Sequence, residues 1–406
     1  MVKKIVTIIL FIICVIQTMA QDPSFTQFFQ KSPYVNPAYT GILNSKQIHT
    51  IAHYREQWMN VPIRFTTSLV SMDWRICQKN LGVGVIALQN IEGEGLLTST
   101  DFSIPLAAHI KAGKRSSLSA AIQTTLASRK INWDNLIFSD ELDPILGNIY
   151  NSTATKPSET YQRIYPSAGL IYTYNFNNTK RSSKHDYLNV GLAGHHLRAG
   201  KNNESFYQVF ENSRYPTKHT LHANYFRKIK PWKRTESGFI LGKFVDYTNY
   251  YFKIENQGNL KKQNEAFTTL SAGAGFSIRQ IVLLGVGYRH GFRKLKEQNG
   301  NNFTRNSMSE SIIFNTVFNI KPKRMPYQLY LTYSFDWNIS ELGFPFSGPT
   351  HEVSLNMYIG RISCRPKRRK GRSHLWSHIL DPGRNGNVYN REICDPFPKI
   401  SDWDGY

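Results

Sequence analysis

The chain has 406 residues, with 50 Lys and Arg against 28 Asp and Glu, a net charge of +22 and a mean hydropathy of −0.41. Beyond the first twenty residues no long apolar run occurs, which excludes spanning helices of about 20 apolar residues and leaves strands as the only route into a membrane. Such a basic protein favours acidic partners, and with aromatic residues at 13% of the chain it has the rings that gather at membrane interfaces.

Residues 1–20 read as an export signal: Lys3 and Lys4, an apolar run from Ile5 to Ile16, then Thr18-Met19-Ala20 as a small-residue cleavage site. Cys14 is preceded by Ile13, where a lipoprotein signal needs a small residue. The mature chain is expected to start at Gln21, and export argues against a nucleic-acid partner. Residues 21–47 have no strand period and are expected to form a periplasmic N-terminal segment; a barrel of about 14 strands is wide enough for an open lumen, which inward side chains or this segment could instead fill.

From residue 48 onward the pattern changes to a period of two. Val70, Met72, Trp74 and Ile76 alternate with Ser71, Asp73 and Arg75; Val282, Leu284, Val286 and Tyr288 alternate with Gly285, Gly287 and Arg289. From Tyr327 to Ile339 the split is nearly unbroken, with Leu329, Leu331, Tyr333, Phe335 and Trp337 on one face and Gln328, Tyr330, Thr332, Ser334, Asp336 and Asn338 on the other. Successive strand side chains point to opposite faces, so each ribbon has one greasy and one polar surface. With an export signal ahead of it, this pattern predicts an all-β fold: a transmembrane antiparallel up-and-down β-barrel in a Gram-negative outer membrane.

Similar segments recur at 49–58, 70–76, 81–91, 97–112, 117–130, 164–176, 187–197, 218–229, 239–255, 267–278, 282–289, 309–320, 327–339 and 351–360. They give about 14 strands over residues 48–360, an even count that leaves both termini in the periplasm. Connections alternate between short turns and long Asn- and Gly-rich loops, provided that 239–255 is one strand rather than a hairpin. The long loops, 131–163 and 198–217 among them, are expected outside the cell.

Residues 361–406 lack the pattern and form a basic periplasmic C-terminal tail. It carries Arg361, Arg365, Lys367, Arg368, Arg369, Lys370 and Arg372 with no acid among them, followed by Trp376. Two readings stand: a solvated tail, or a docking element for a periplasmic partner. Cys364 and Cys394 are a candidate disulfide closing a loop of about 30 residues, worth about 3–4 kcal/mol in the chain-entropy model. Cys77, at an expected periplasmic turn, is left over; the competing reading is that these cysteines are free thiols or pair with a partner protein.

No catalytic motif is present, so no enzymatic activity and no cofactor are expected. Gly82 and Gly84, like Gly285 and Gly287, lie within strands, where small residues suit a crowded lumen. His195-His196 is the best metal candidate, but strand neighbours face opposite ways and cannot readily share an ion. The segment from Asp381 to Asn387 only loosely resembles a calcium loop, since it contains Arg384 and lacks the final acid.

Five stretches carry a family resemblance. They are Gln21-Asp22-Pro23-Ser24-Phe25-Thr26-Gln27-Phe28, Asn36-Pro37-Ala38-Tyr39-Thr40-Gly41, Tyr54-Arg55-Glu56-Gln57-Trp58, Leu81-Gly82-Val83-Gly84-Val85 and Thr350-His351-Glu352-Val353-Ser354-Leu355. In this order they resemble the PorP/SprF family of type IX secretion membrane proteins, from Gln21 to Gly360; the long basic tail departs from it. The resemblance implies a non-enzymatic outer-membrane barrel that supports export or surface anchoring of cargo, including gliding adhesins. The alternative is a passive porin or hydrophobic-substrate channel.

The implied partners are outer-membrane lipid and lipopolysaccharide, a secreted or surface cargo at the external loops, and periplasmic secretion, motor or peptidoglycan-linked proteins. The last would meet the segment of Asn36, Pro37, Tyr39 and Gly41, and the tail. The motif residues also have a purely structural reading. In it Asn36-Pro37 supplies turn chemistry, Trp58 anchors at the interface, and Arg55 and Glu352 pair in the lumen to join the first and last strands; Gln57 and His351 flank that pair.

Overall fold

The structure, a computed structural model, describes residues 22–42, 48–61, 65–76, 80–93, 97–113, 115–133, 136–143, 145–149, 152–153, 160–176, 186–197, 217–228, 245–257, 267–278, 281–293, 295–296, 302–303, 310–320, 327–340 and 343–359. Fourteen strands form a closed antiparallel barrel. They are β1 (Ile48–Gln57), β2 (Phe65–Arg75), β3 (Leu81–Glu92), β4 (Leu97–Lys111), β5 (Ser116–Lys130), β6 (Thr160–Asn175) and β7 (Tyr187–His195), then β8 (Lys218–Lys228), β9 (Val245–Gln257), β10 (Phe267–Ile278), β11 (Val282–Arg293), β12 (Ser311–Ile320), β13 (Tyr327–Asn338) and β14 (Thr350–Ile359). Each pairs with its chain neighbours, and β14 closes on β1 from Ile48↔Ile359 to Glu56↔His351. Closure leaves no sheet edge in lipid.

The period-two reading holds along the wall. Val70, Ile104, Leu106, Ile122, Leu126, Leu170, Leu192 and Val286 stand exposed on the outside, while Ser71, Asp73, Arg75, Gln123, Arg289, Thr332, Ser334 and Asp336 are buried within. Outward aromatic residues mark both ends of the strands: Tyr54, Tyr333 and Trp337 at one, Tyr172, Tyr225 and Tyr250 at the other. Among the described residues no helix is long and apolar enough to cross a membrane.

Strand β9 is a single element that pairs β8 on one side and β10 on the other, which removes the hairpin alternative for residues 245–257. Its upstream part, 239–244, lies outside the described residues. The even count puts Ile48 and Ile359 at the same end of the barrel, that of the short turns. Pro105 has no N–H to give, and the β3–β4 ladder breaks there, between Val83↔Leu106 and Ile86↔Ser103.

Three features escaped the period-two reading: a two-residue ladder of Leu142–Asp143 with Gly147–Asn148, another of Leu295–Lys296 with Asn302–Phe303, and a short helix Gly343–Ser347, all in long loops. Inside the barrel the structure takes the alternative in which the N-terminal segment enters the lumen: residues 22–42 lie within it and form a set of apolar clusters with the wall. Phe28, Phe29 and Val35 pack on Tyr251, Leu283, Val317, Tyr330 and Tyr358; Ala38, Tyr39 and Ile42 on Ala107, Ala121 and Ile171; Phe25 on Leu69, Ile86 and Leu88.

Candidate functional site

Many side chains of the internal segment and the wall meet at the seam between β1 and β14. Arg55 and Glu352 stand directly opposite in register, with Nη1 and Oε2 2.8 Å apart. His53 Nε2 lies 2.8 Å from the other carboxylate oxygen. The internal segment completes the site: the backbone amides of Thr26 and Gln27 donate to Glu352 at 2.9 and 2.8 Å, and the Gln27 side chain donates to the Glu352 carbonyl at 3.0 Å. Thr26 Oγ1 donates to Asp336 Oδ2 at 2.8 Å and accepts from Arg55 at 2.8 Å and from Arg289 at 2.7 Å. Arg289 also meets Asp336 at 3.1 Å. Two guanidiniums and two carboxylates therefore balance around one threonine. Balance matters here, because an unpaired buried charge costs several kcal/mol, about 3–5 when a partner is removed.

A second anchor sits half-way down the wall. Asn36 is extended, φ −151° and ψ 119°, as the residue before a proline tends to be, and Pro37 opens a 3-10 turn over Pro37–Tyr39. The Asn36 side chain accepts from Ala38 N at 2.9 Å and donates to the carbonyls of Leu170 and Leu192 at 3.2 and 3.3 Å, beside His222 Nε2 at 3.1 Å. Its close approach requires Gly169, where any Cβ would overlap the Asn36 amide oxygen. Replacing Asn36 by alanine removes the cap and the bonds to both strands; a loss of about 1–2 kcal/mol is expected in urea unfolding.

The third anchor lies at the short-turn end. Gly41, at φ +64°, donates its amide to Asp73 Oδ2 at 2.7 Å, and Asp73 in turn holds His49 at 2.9 Å. The carbonyl of Thr40 lies 2.9 Å from His109 Nε2. Gly82 faces this carbonyl so closely that a Cβ would collide with it. On the opposite wall Asp22 lies 3.3 Å from Lys218, and Lys253 reaches Glu255 at 2.8 Å and Ser24 at 3.2 Å.

The sequence-derived residues divide accordingly. Arg55 and Glu352 meet each other; Asn36, Pro37, Tyr39 and Gly41 are brought together inside the barrel, with Tyr39 stacked on His222 at 5.3 Å. The expectation that this motif lies open to periplasmic partners is corrected: Asn36 has 0% exposure, because its polar atoms are spent on the wall. Trp58, at φ +56°, packs edge-on against Phe65 just past the Gln57 end of β1. His351 faces outward, 2.7 Å from the Tyr333 hydroxyl. His195 and His196 are both buried, since His196 lies past the strand end at φ +56°, so the rule of opposite faces does not apply to them. Among the described residues no group of side chains could hold a metal ion. Cys77, Cys364, Cys394, Arg365, Lys367, Arg368, Arg369, Lys370, Arg372 and Trp376 lie outside the described residues.

Residues 17–357 match the family described as type IX secretion system membrane protein PorP/SprF. The chain belongs to the PorP/SprF family. It is a barrel of the outer membrane. Among curated proteins none matches the chain. Solved structures with a similar barrel include the Ralstonia pickettii toluene transporter TbuX, at 9% identity and TM-score 0.42 over 81% of this chain and 92% of that one. A Pseudomonas aeruginosa FadL homologue is similar at 9% identity and TM-score 0.38, over 80% and 92% of the two chains. At these values neither substrate nor mechanism carries across to the PorP/SprF chain.

The contacts that reading by period missed in this PorP/SprF protein are those of Thr26, Gln27, His53, Asp73, His109, His222, Arg289 and Asp336. A signal for them existed. Charged and imidazole side chains at inward positions of several strands call for either a water-filled lumen or an internal polar segment, and the sequence alone does not choose between them.

Proposed function

We propose that this barrel is a non-enzymatic accessory of type IX export, supporting the export or surface anchoring of cargo proteins such as gliding adhesins. In this reading the long-loop end faces outward and holds cargo. The end bearing Ile48 and Ile359 faces the periplasm, where the basic tail meets secretion, motor or peptidoglycan-linked proteins through Arg365, Lys367, Arg368, Arg369, Lys370, Arg372 and Trp376. The observation that carries the proposal is the filled lumen of a PorP/SprF barrel: a segment tied to the wall at three levels leaves the two ends, not a passage between them, as working surfaces.

A passive porin or hydrophobic-substrate channel would need that segment to shift and open a path through or out of the wall. Deleting the gene should remove at least one exported protein from the cell surface while uptake of small hydrophilic solutes stays at the wild-type rate. Unchanged surface proteins together with slowed solute entry would favour the channel instead.

A further inference from the structure

Residues 131–159 join β5 to β6, two of the longest strands in the wall, with residue spans Ser116–Lys130 and Thr160–Asn175. The loop's described residues, 131–133, 136–143, 145–149 and 152–153, are tied together by hydrogen bonds. Trp133 is buried at its base. Glu141 and Phe138 bond reciprocally, amide to carbonyl at 3.0 Å and amide to carboxylate at 3.1 Å. Asp143 Oδ1 accepts from the amides of Ile145 and Leu146 at 2.8 and 2.9 Å, which fixes the tip of the small hairpin. Asp140 accepts from Ser152 Oγ at 2.9 Å and Thr153 N at 2.8 Å, and these bonds, the Thr153 amide first, hold its carboxyl below the usual carboxylate range.

This scaffold presents aliphatic side chains to water. Ile145 is 91% exposed and Leu146 69%, with Ile137, Ile149 and Leu142 between 50% and 61%. A tight turn held by its own polar groups, with its apolar residues pushed outward, forgoes the burial free energy of those residues unless a surface covers them. Two facts decide what kind of surface. The irregular, hydrogen-bonded backbone of the tip cannot enter hydrocarbon without leaving polar groups unmatched. And although the chain is strongly basic, the stretch from Ile131 to Thr155 contains Asp134, Asp140, Glu141 and Asp143 and no lysine or arginine. An anionic lipopolysaccharide surface would repel it; a basic protein surface would attract it.

We propose that this acidic, aliphatic-tipped finger docks into an apolar groove rimmed by lysine and arginine on the exported protein. The proposal deepens the export reading and rests on it. Ile145 and Leu146 are the anchors, and the surrounding carboxylates set orientation and approach.

The test uses the full-length barrel in intact cells, with a photoreactive amino acid at Leu142 and cargo defined as the surface proteins lost when the whole gene is deleted. A crosslink to such a protein is expected, falling at least tenfold in Ile145→Ser/Leu146→Ser and kept in Ile145→Leu/Leu146→Ile. Raising the salt concentration should weaken it further, and the altered side chains are exposed enough that heat-dependent gel migration of the barrel stays normal. Crosslinks to lipopolysaccharide alone, or undiminished crosslinking and cargo display in the double-serine variant, would overturn the docking proposal while the export reading stands. If deletion of the gene removes no surface protein, both fall together.

Discussion

Glu352→Ala should lower the unfolding free energy of the barrel by about 3–5 kcal/mol, because it takes from the buried Arg55 guanidinium its closest carboxylate and from two amides of the internal segment their acceptor. At 0% exposure Glu352 takes the amides of Thr26 and Gln27, the Arg55 guanidinium and His53. Hydrogen bonds to a charged group are worth about 1.5–3 kcal/mol each, so the effect reaches both the seam and the internal segment. Glu352→Gln keeps shape and one acceptor and should fall between the two. Urea titration followed by heat-dependent gel migration gives the magnitude. A double-mutant cycle with Arg55→Ala separates the pair: coupling of about 1–3 kcal/mol is expected for groups in contact, and additivity within about 0.5 kcal/mol would remove the seam pair from the account.

The second large effect is on permeation. Gly82 has no room for a side chain, because the Thr40 carbonyl and the Gly41 Cα occupy the place of its Cβ. The obstruction is backbone, so it cannot swing aside; Gly82→Val forces residues 40–42 off the wall, and with them the bonds from Gly41 to Asp73 and from Thr40 to His109. Purified wild-type protein in a planar bilayer should be electrically silent, whereas Gly82→Val should show steps of pore size and make residues 22–42 cleavable by added protease. Gly285 provides the control. Its Cβ would lie 3.4 Å from Ala274 O and 3.5 Å from Asn315 Cβ, ordinary contact, so Gly285→Ala should stay closed. A folded Gly82→Val barrel that remained silent would show that the lumen is blocked by something other than this segment.

Both results depend on how far the chain is readable without its tertiary structure. The alternation of Tyr327–Asn338 is local, and it places Ser334 and Asp336 inward and Leu331 and Tyr333 outward before any partner is known. Closure makes the first and last strands neighbours, which made Arg55 and Glu352 candidate partners; that they stand directly opposite was decided by the register of β1 on β14. Loop parity placed the long connections at one end; for the β8–β9 connection the residues 229–244 lie outside the described ones. The role of Gly82 was legible only as a need for smallness, not as a close approach by Thr40.

What the sequence by itself determined is the wall: about fourteen ribbons, their two faces and a seam between the first and the last. These follow from a period of two residues and from closure, which need no knowledge of distant contacts. Only the tertiary structure decided where residues 22–42 go. Their bonds reach Glu352, Asp336, Leu192 and Asp73, separated from them by between about thirty and more than three hundred positions, and such partners leave no periodic trace in the segment itself. Burial of most of its polar groups against matching groups on the wall, rather than any local propensity, seats the segment in the lumen.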